Sequence, residues 1–294
     1  MSIKKCVITK GIYNDKELRL LVSFDENDKP LDVINLDITK VGTVCEAAVE
    51  KVLNDIDACI LKLSTGDKGF IENRKLKPEF FIERHSEKKK VCQNDRFWVQ
   101  ITQDKKSTKP YSCNFIKDNP TSDYRDFIDF FIEKFADKDC EIVSDLDEII
   151  SKNLNIRAYT DESFSLWQLF DLTKLLDNVT LKVAYIKNGG NIVIEPTEAM
   201  TVIDVNSGKN GGKGSPMEIN RQALEEIAAQ LRLRSISGII IIDLLKVSNK
   251  EEDKLIEIAK DAFKDDYSDV TIHGFTNLGL MEITRSRLFS PIIL

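Results

Sequence analysis

Apolar positions recur along this chain with two periods, two residues in short runs and three to four in longer ones, so strands and helices alternate through most of its length. Residues 3–8, 18–24 and 31–36 read as strands joined by turns at Asn14-Asp15 and at 25–30. Such a meander buries too little by itself and needs pairing from chain further on. From about 38 to 115 the runs shorten to 42–52, 58–63, 68–71, 97–102 and 111–115, with turn residues between them. Strands at that spacing predict a five-stranded barrel of the OB type. After the break at Asn119 and Pro120, a helix capped by Ser122 or Asp123 runs through Phe135, with Phe127, Phe130, Phe131 and Ile132 inward. A strand at 141–144, a short helix at 146–152, a strand at 156–159 and a helix at 164–176 follow, the last burying Trp167 and Phe170. The hairpin 180–186 and 191–195, turning at Gly189-Gly190, feeds the stretch around which the chain is organised.

That stretch, 199–243, reads as a strand, a glycine-rich loop, a long helix and a second strand. Ser215 as N-cap, Pro216 at the first helical position and Glu218 three residues on predict a capping box. Ile219, Ala223, Ile227 and Leu231, with Leu224 and Ala228, make an apolar stripe that fits a sheet. Gly238 resets the backbone, and the unbroken isoleucine run 239–242 predicts a parallel strand buried on both faces. In such a crossover both strands run the same way, which brings Asp204 and Asp243 to one edge. Asn206, two residues from Asp204, shares its face. An acid at the end of a buried strand is costly to ionise unless a cation compensates. Mg²⁺, which takes one or two carboxylates and keeps several waters, suits the pair. Either acid alone is more simply a cap of the loop that follows it; the pair with Asn206 favours a metal site. Beyond Asp243, 250–263 reads as a helix with Leu255, Ile258, Ala259 and Ala262 inward, and 270–273 as a strand.

Length and composition change the picture little. The 294 residues suit two domains, and 42% hydrophobic with 31% charged residues describes an ordinary globular protein. Charge is scattered through the first twenty residues and no long apolar run occurs, so no signal peptide or membrane span is expected, and a cytoplasmic location is the default. Cys6, Cys45, Cys59, Cys92, Cys113 and Cys140 lie far apart without a C-x-x-C pair, against both a zinc site and a disulfide framework. A net charge of -7 means that RNA would have to bind through local basic patches.

Such patches exist. The predicted barrel offers Phe70, Phe97, Trp98 and Tyr111 for base stacking, with Arg96, Lys105, Lys106 and Lys109 for phosphates. Alternation sends Phe97 and Trp98 to opposite faces, so one of them is core. The charged excursion 79–90 is a solvated loop, and His85 within it has no acid or cysteine at ligand spacing. GKNGGKG at 208–214 fails the P-loop spacing and reads as a loop, although Lys209 and Lys213 stand close enough to the acids to steady a phosphate. His273 is a structural histidine rather than a base. Glu282, Arg285 and Arg287 form a charged alternating stretch.

TEAMTVIDVNSG, AAQLRLRSISGIIIIDLL and LGLMEITRSRL, in that order, closely resemble the catalytic region of the ribonuclease E/G family, strongly over 188–288 and more faintly toward the N-terminus. The resemblance implies an α/β fold in four segments. They are the first strands of an RNase H-like subdomain at 1–37, an S1-like OB barrel at 38–116, the rest of the RNase H-like subdomain at 117–187, and a DNase I-like catalytic subdomain at 188–294. It implies Mg²⁺ on Asp204 and Asp243, with Asn206 beside them, for cleavage of single-stranded RNA to 5′-phosphate and 3′-hydroxyl products in RNA processing or decay. It assigns RNA contacts to Phe70, Lys109, Arg285 and Arg287. Departures are visible as well. The second stacking position is Ile60, an earlier lysine is Gln103, and the Arg-Thr pair of a 5′-monophosphate pocket is missing, Arg157-Ala158 being the nearest match. The family's zinc link and small C-terminal domain have no counterpart before Leu294, so the expected state is a monomer or weak dimer without bridging zinc. Two rivals follow: an RNA-binding protein that keeps the fold with little or no cleavage, and a magnesium-dependent phosphodiesterase with another substrate.

Overall fold

In the computed structural model, residues 2–86, 90–105, 109–117, 126–151, 155–187, 189–208 and 214–292 are described. The opening meander is β1 (Ile3–Tyr13), β2 (Lys16–Phe24) and β3 (Pro30–Asn35). Next come β4 (Val44–Leu53), β5 (Ala58–Leu63), β6 (Lys68–Glu72), β7 (Arg96–Gln103) and β8 (Tyr111–Ile116). These five close into a barrel in the order β4-β5-β6-β8-β7. Alternation puts Cys45, Leu61, Ile71, Phe97, Ile101 and Tyr111 in its core. Helix α1 (Phe127–Phe135) starts at Asp126, whose carboxylate accepts from the Ile128 and Asp129 amides. The expected caps Ser122 and Asp123 lie outside the described residues, and the buried positions are Phe127, Ile128 and Phe131 rather than the expected four.

The chain continues through β9 (Ala136–Ser144), α2 (Asp147–Ile150), β10 (Ile156–Ala158), α3 (Leu166–Leu169), α4 (Leu172–Thr180) and β11 (Val183–Tyr185). The single helix expected at 164–176 is two helices, because Asp171 takes a left-handed φ of 47° that no continuous α-helix accommodates. Then follow β12 (Asn191–Pro196), β13 (Met200–Asn206), α5 (Pro216–Leu233), β14 (Gly238–Asp243), α6 (Asn249–Phe263), β15 (Val270–Phe275) and β16 (Met281–Arg285). The architecture is mixed α/β, in two compact units. One holds 36–136 with 288–290, the barrel and α1; the other holds 1–35, 137–287 and 291–294.

The larger unit contains two sheets, ordered β10-β9-β1-β2-β3 and β11-β12-β13-β14-β16-β15. The meander therefore finds its partner in β9. Trp167 and α4 pack on one face of the first sheet, with Trp167 lying against Gly11, where a Cβ would meet its ring at 2.2 Å. Helices α5 and α6 cover one face of the second sheet. Between the two sheets lies a buried polar knot. Arg232, at the end of α5, donates to both carboxylate oxygens of Asp32 on β3 at 2.9 Å, while the Tyr267 hydroxyl donates to Asp32 at 2.6 Å and Ser23 also reaches it. A buried ion pair adds little against an apolar substitute, but removing one member strands the other charge. Asp32→Ala is therefore expected to destabilise folding by roughly 3–5 kcal/mol, read by urea unfolding, with Asp32→Leu combined with Arg232→Met recovering most of that loss.

Candidate active site

The site is set by the parallel register of β13 and β14, which pairs Asp204 directly with Asp243. Val202, Asp204 and Asn206 alternate with the buried Thr201, Ile203 and Val205, so the acids point away from the α5 core. Asn206 Nδ2 donates to Asp204 Oδ2 at 2.8 Å, which holds that carboxylate from one side. Antiparallel pairing with β12 then brings Asn191 opposite Asn206, so Asn191 joins Asn206, Asp204 and Asp243 on this face. Asn191 is a position that sequence reasoning missed; the alternation of the hairpin strand carried the signal.

One expectation fails here. Strand β14 is not buried on both faces: Ile240 and Ile242 are fully buried, but Ile239 is 47% exposed and Asp243 is exposed. The sheet is covered on one face only, so desolvation of a buried acid gives no argument for a cation. What favours a cation here is two like charges side by side on adjacent strands, with an amide beside them. Among the described residues no group of three or more His, Cys, Asp or Glu converges on a metal position. Two carboxylates with one amide still match Mg²⁺, which keeps most of its waters, better than Zn²⁺, whose structural sites use four protein ligands.

Local structure on both sides of the acids is firmly specified. Ser215 caps α5 by accepting from the Glu218 amide. The reciprocal half of the expected capping box is absent, because Arg221 and Gln222 take the Glu218 side chain instead and hold its carboxyl down at about 2. Past β13 the chain turns at Gly208, φ 82°, where a Cβ would strike the Gly189 carbonyl at 2.3 Å; only glycine fits this approach to the hairpin tip. Past β14, the buried Asn220 of α5 clamps the backbone: its Nδ2 donates to the Leu245 carbonyl at 2.8 Å and its Oδ1 accepts from the Leu245 amide at 2.9 Å.

The other expected contacts fall into different environments. Lys209 and Lys213 lie outside the described residues. Arg285 is 3% exposed, with its guanidinium bidentate on Asp266 at 2.8 and 2.9 Å and on the Ile236 carbonyl at 2.9 Å, so it serves the fold and does not face a ligand. Arg287 is half-buried, its Nε 3.4 Å from Ser237 Oγ. His273 lies inside β15, exposed, with Nε2 2.9 Å from Thr284 Oγ1. In the barrel unit, Phe70 and Ile60 are cross-strand partners, both half-buried, and Lys109 is exposed. Phe97 and Tyr111 are core, which removes both as stacking surfaces. Lys105 is drawn to Asp67 at 3.3 Å; burial opposes the charge on Asp67, yet Lys40 and Lys105 hold its carboxyl below its ordinary value. All six cysteines are free, and no described helix is long and apolar enough to cross a membrane.

Fold and site together define a mixed α/β protein with a closed barrel and a two-acid edge on a parallel strand pair. The chain belongs to the Ribonuclease E/G family, whose profile matches residues 83–288. It is 35% identical over 135 residues to the Ribonuclease E/G-like protein, chloroplastic, of Arabidopsis thaliana, covering 44% of this chain and 14% of that protein. It is 39% identical over 131 residues to Ribonuclease E of a Synechocystis strain, covering 43% and 19%, and 34% identical over 127 residues to Ribonuclease G of Escherichia coli K12, covering 42% and 26%. The matches thus span about a quarter or less of these curated relatives' length.

Asn220→Leu keeps the volume and removes both clamp hydrogen bonds, leaving the Leu245 amide and carbonyl unpaired. Thermal or urea unfolding is expected to show a loss of about 1–3 kcal/mol.

Proposed function

We propose that this chain is a metal-dependent endoribonuclease that cuts single-stranded RNA by Mg²⁺-assisted hydrolysis, in RNA processing or decay. The observation that carries this reading is the pairing of Asp204 with Asp243 at one exposed strand edge, with Asn206 hydrogen-bonded to the first acid. In this reading Asp204 and Asp243 hold the ion, which activates water and neutralises charge on the phosphate when bound. Asn206 fixes the Asp204 carboxylate and offers its amide oxygen to a water. Because the acids are exposed, an extended RNA strand can reach them without an opening motion. Phe70 is the stacking platform of the barrel, Lys109 its phosphate contact, and Lys209, Lys213 and Arg287 supply further cations, whereas Arg285 is kept for the fold. The finer division into an RNase H-like part interrupted by an S1-like OB barrel and followed by a DNase I-like part belongs to the same reading, and membership of the Ribonuclease E/G family supports it. The activity is assigned to the cytoplasm and to a monomer or weak dimer without bridging zinc.

Labelled single-stranded RNA is expected to be cut with Mg²⁺, and not cut with EDTA or by Asp243→Asn, whose rate should fall at least 10²-fold, on the order of a lost charge-stabilising group. Tight RNA binding without cleavage across several sequences would favour the non-cleaving RNA-binding protein instead.

A further inference from the structure

Asp243 forms one wall of a pocket of about 440 Å³, within the roughly 300–1,000 Å³ range of small-molecule sites. The pocket lies between the chain leaving β14, the start of α6 and the β15–β16 turn, and apart from Asp243 its lining is not part of the two-acid edge. Its rim carries Leu278, which is 85% exposed. That side chain is not on a loose tip. The turn is closed by the Thr276 amide donating to the Leu280 carbonyl at 2.9 Å and the Gly279 amide donating to the Thr276 carbonyl at 2.9 Å. The Thr276 hydroxyl accepts from the Leu278 and Leu280 amides at 3.1 and 3.2 Å. A rigid turn thus presents an apolar group to solvent, with the half-buried Phe275 behind it. Lys246, Asn277 and Glu252 supply the polar lining, and none of the three makes a side-chain hydrogen bond or ion pair among the described residues.

The lining selects among the parts of a nucleotide. Glu252 sets a carboxylate in the lining, which disfavours a phosphate beside it. An apolar wall with a carboxylate acceptor and an ammonium donor suits a base, stacked by its face and read at its edge. Guanine matches best: its adjacent N1–H and N2–H suit one carboxylate, and O6 and N7 suit a lysine.

Resting on the proposed nuclease reading, we infer that this pocket is a specificity subsite for the base adjoining the scissile phosphate, guanine before the others, with Leu278 as its wall and Glu252 as its edge acceptor. Unassigned by the two-acid site, it would decide where along an RNA the acids cut.

The test is titration of the four nucleoside 5′-monophosphates into the whole chain, followed by methyl NMR, with cleavage sites mapped on one mixed-sequence RNA. The expected result is that the guanine nucleotide perturbs Leu278 and Val247 most. Leu278→Ala should weaken its binding by roughly fivefold, on the order of lost apolar contact. Glu252→Gln should erase the preference for guanine and redistribute the cuts. Two results would overturn the subsite: no nucleotide moving Leu278, or an unchanged base preference in Glu252→Gln. If guanine nucleotide moves Leu278 while no RNA is cut under any condition, the nuclease reading fails and the base site stands. If RNA is cut with the same sites by all variants, the base site alone falls.

Discussion

Everything at the candidate site depends on one register, that of the parallel pair β13 and β14. Parallel neighbours cannot be joined by a tight turn, so the chain must cross over, and α5 does so on the covered face of the sheet. With that crossover in place, the residues at the carboxyl ends of both strands share an edge, and Asp204 faces Asp243. A slip of β14 by one residue would turn Asp243 into the α5 core and bring Ile240 and Ile242 to the surface, which their burial forbids. The exit of β14 is held as firmly as its register, through the Asn220 clamp on Leu245. A fully buried amide with both ends satisfied is a precise device for fixing the chain just past a functional acid.

The arginines in the family-like segments divide their duties in a way that their spacing conceals. Arg232 is spent on Asp32, and Arg285 on Asp266, with both guanidinium groups lying against the Tyr267 ring at 4.8 and 6.0 Å. These pairs tie β3, the end of α5 and the end of β16 into one buried knot. Cations in a chain proposed to act on RNA are therefore not all ligands for phosphate. Both arginines are thereby withdrawn from any contact with a ligand, in a chain whose overall charge is -7.

Much of the fold was legible because local signals agreed with the tertiary result. Ser215 and Pro216 marked the start of α5, the five short apolar runs became the closed barrel, and Asp204, Asn206 and Asp243 were brought together by strand order alone. Several failures share a cause: they turned on how many faces of an element are covered, which a run of residues does not encode. An all-isoleucine strand reads as doubly buried, yet Ile239 is half open. Tyr111 and Arg285 carry the chemistry of a binding surface but are inside. The break between α3 and α4 at Asp171 lies within a continuous apolar pattern, and the pocket beside Asp243 is assembled from three separate segments.

The proposed chemistry needs two carboxylates acting together on one divalent ion. Manganese binding followed by electron paramagnetic resonance, in the absence of RNA, reads that claim without depending on turnover. One ion is expected to bind per chain at the site, with affinity falling at least tenfold in Asp204→Asn and again when Asp243→Asn is added. Binding that is unchanged in the double variant would contradict it.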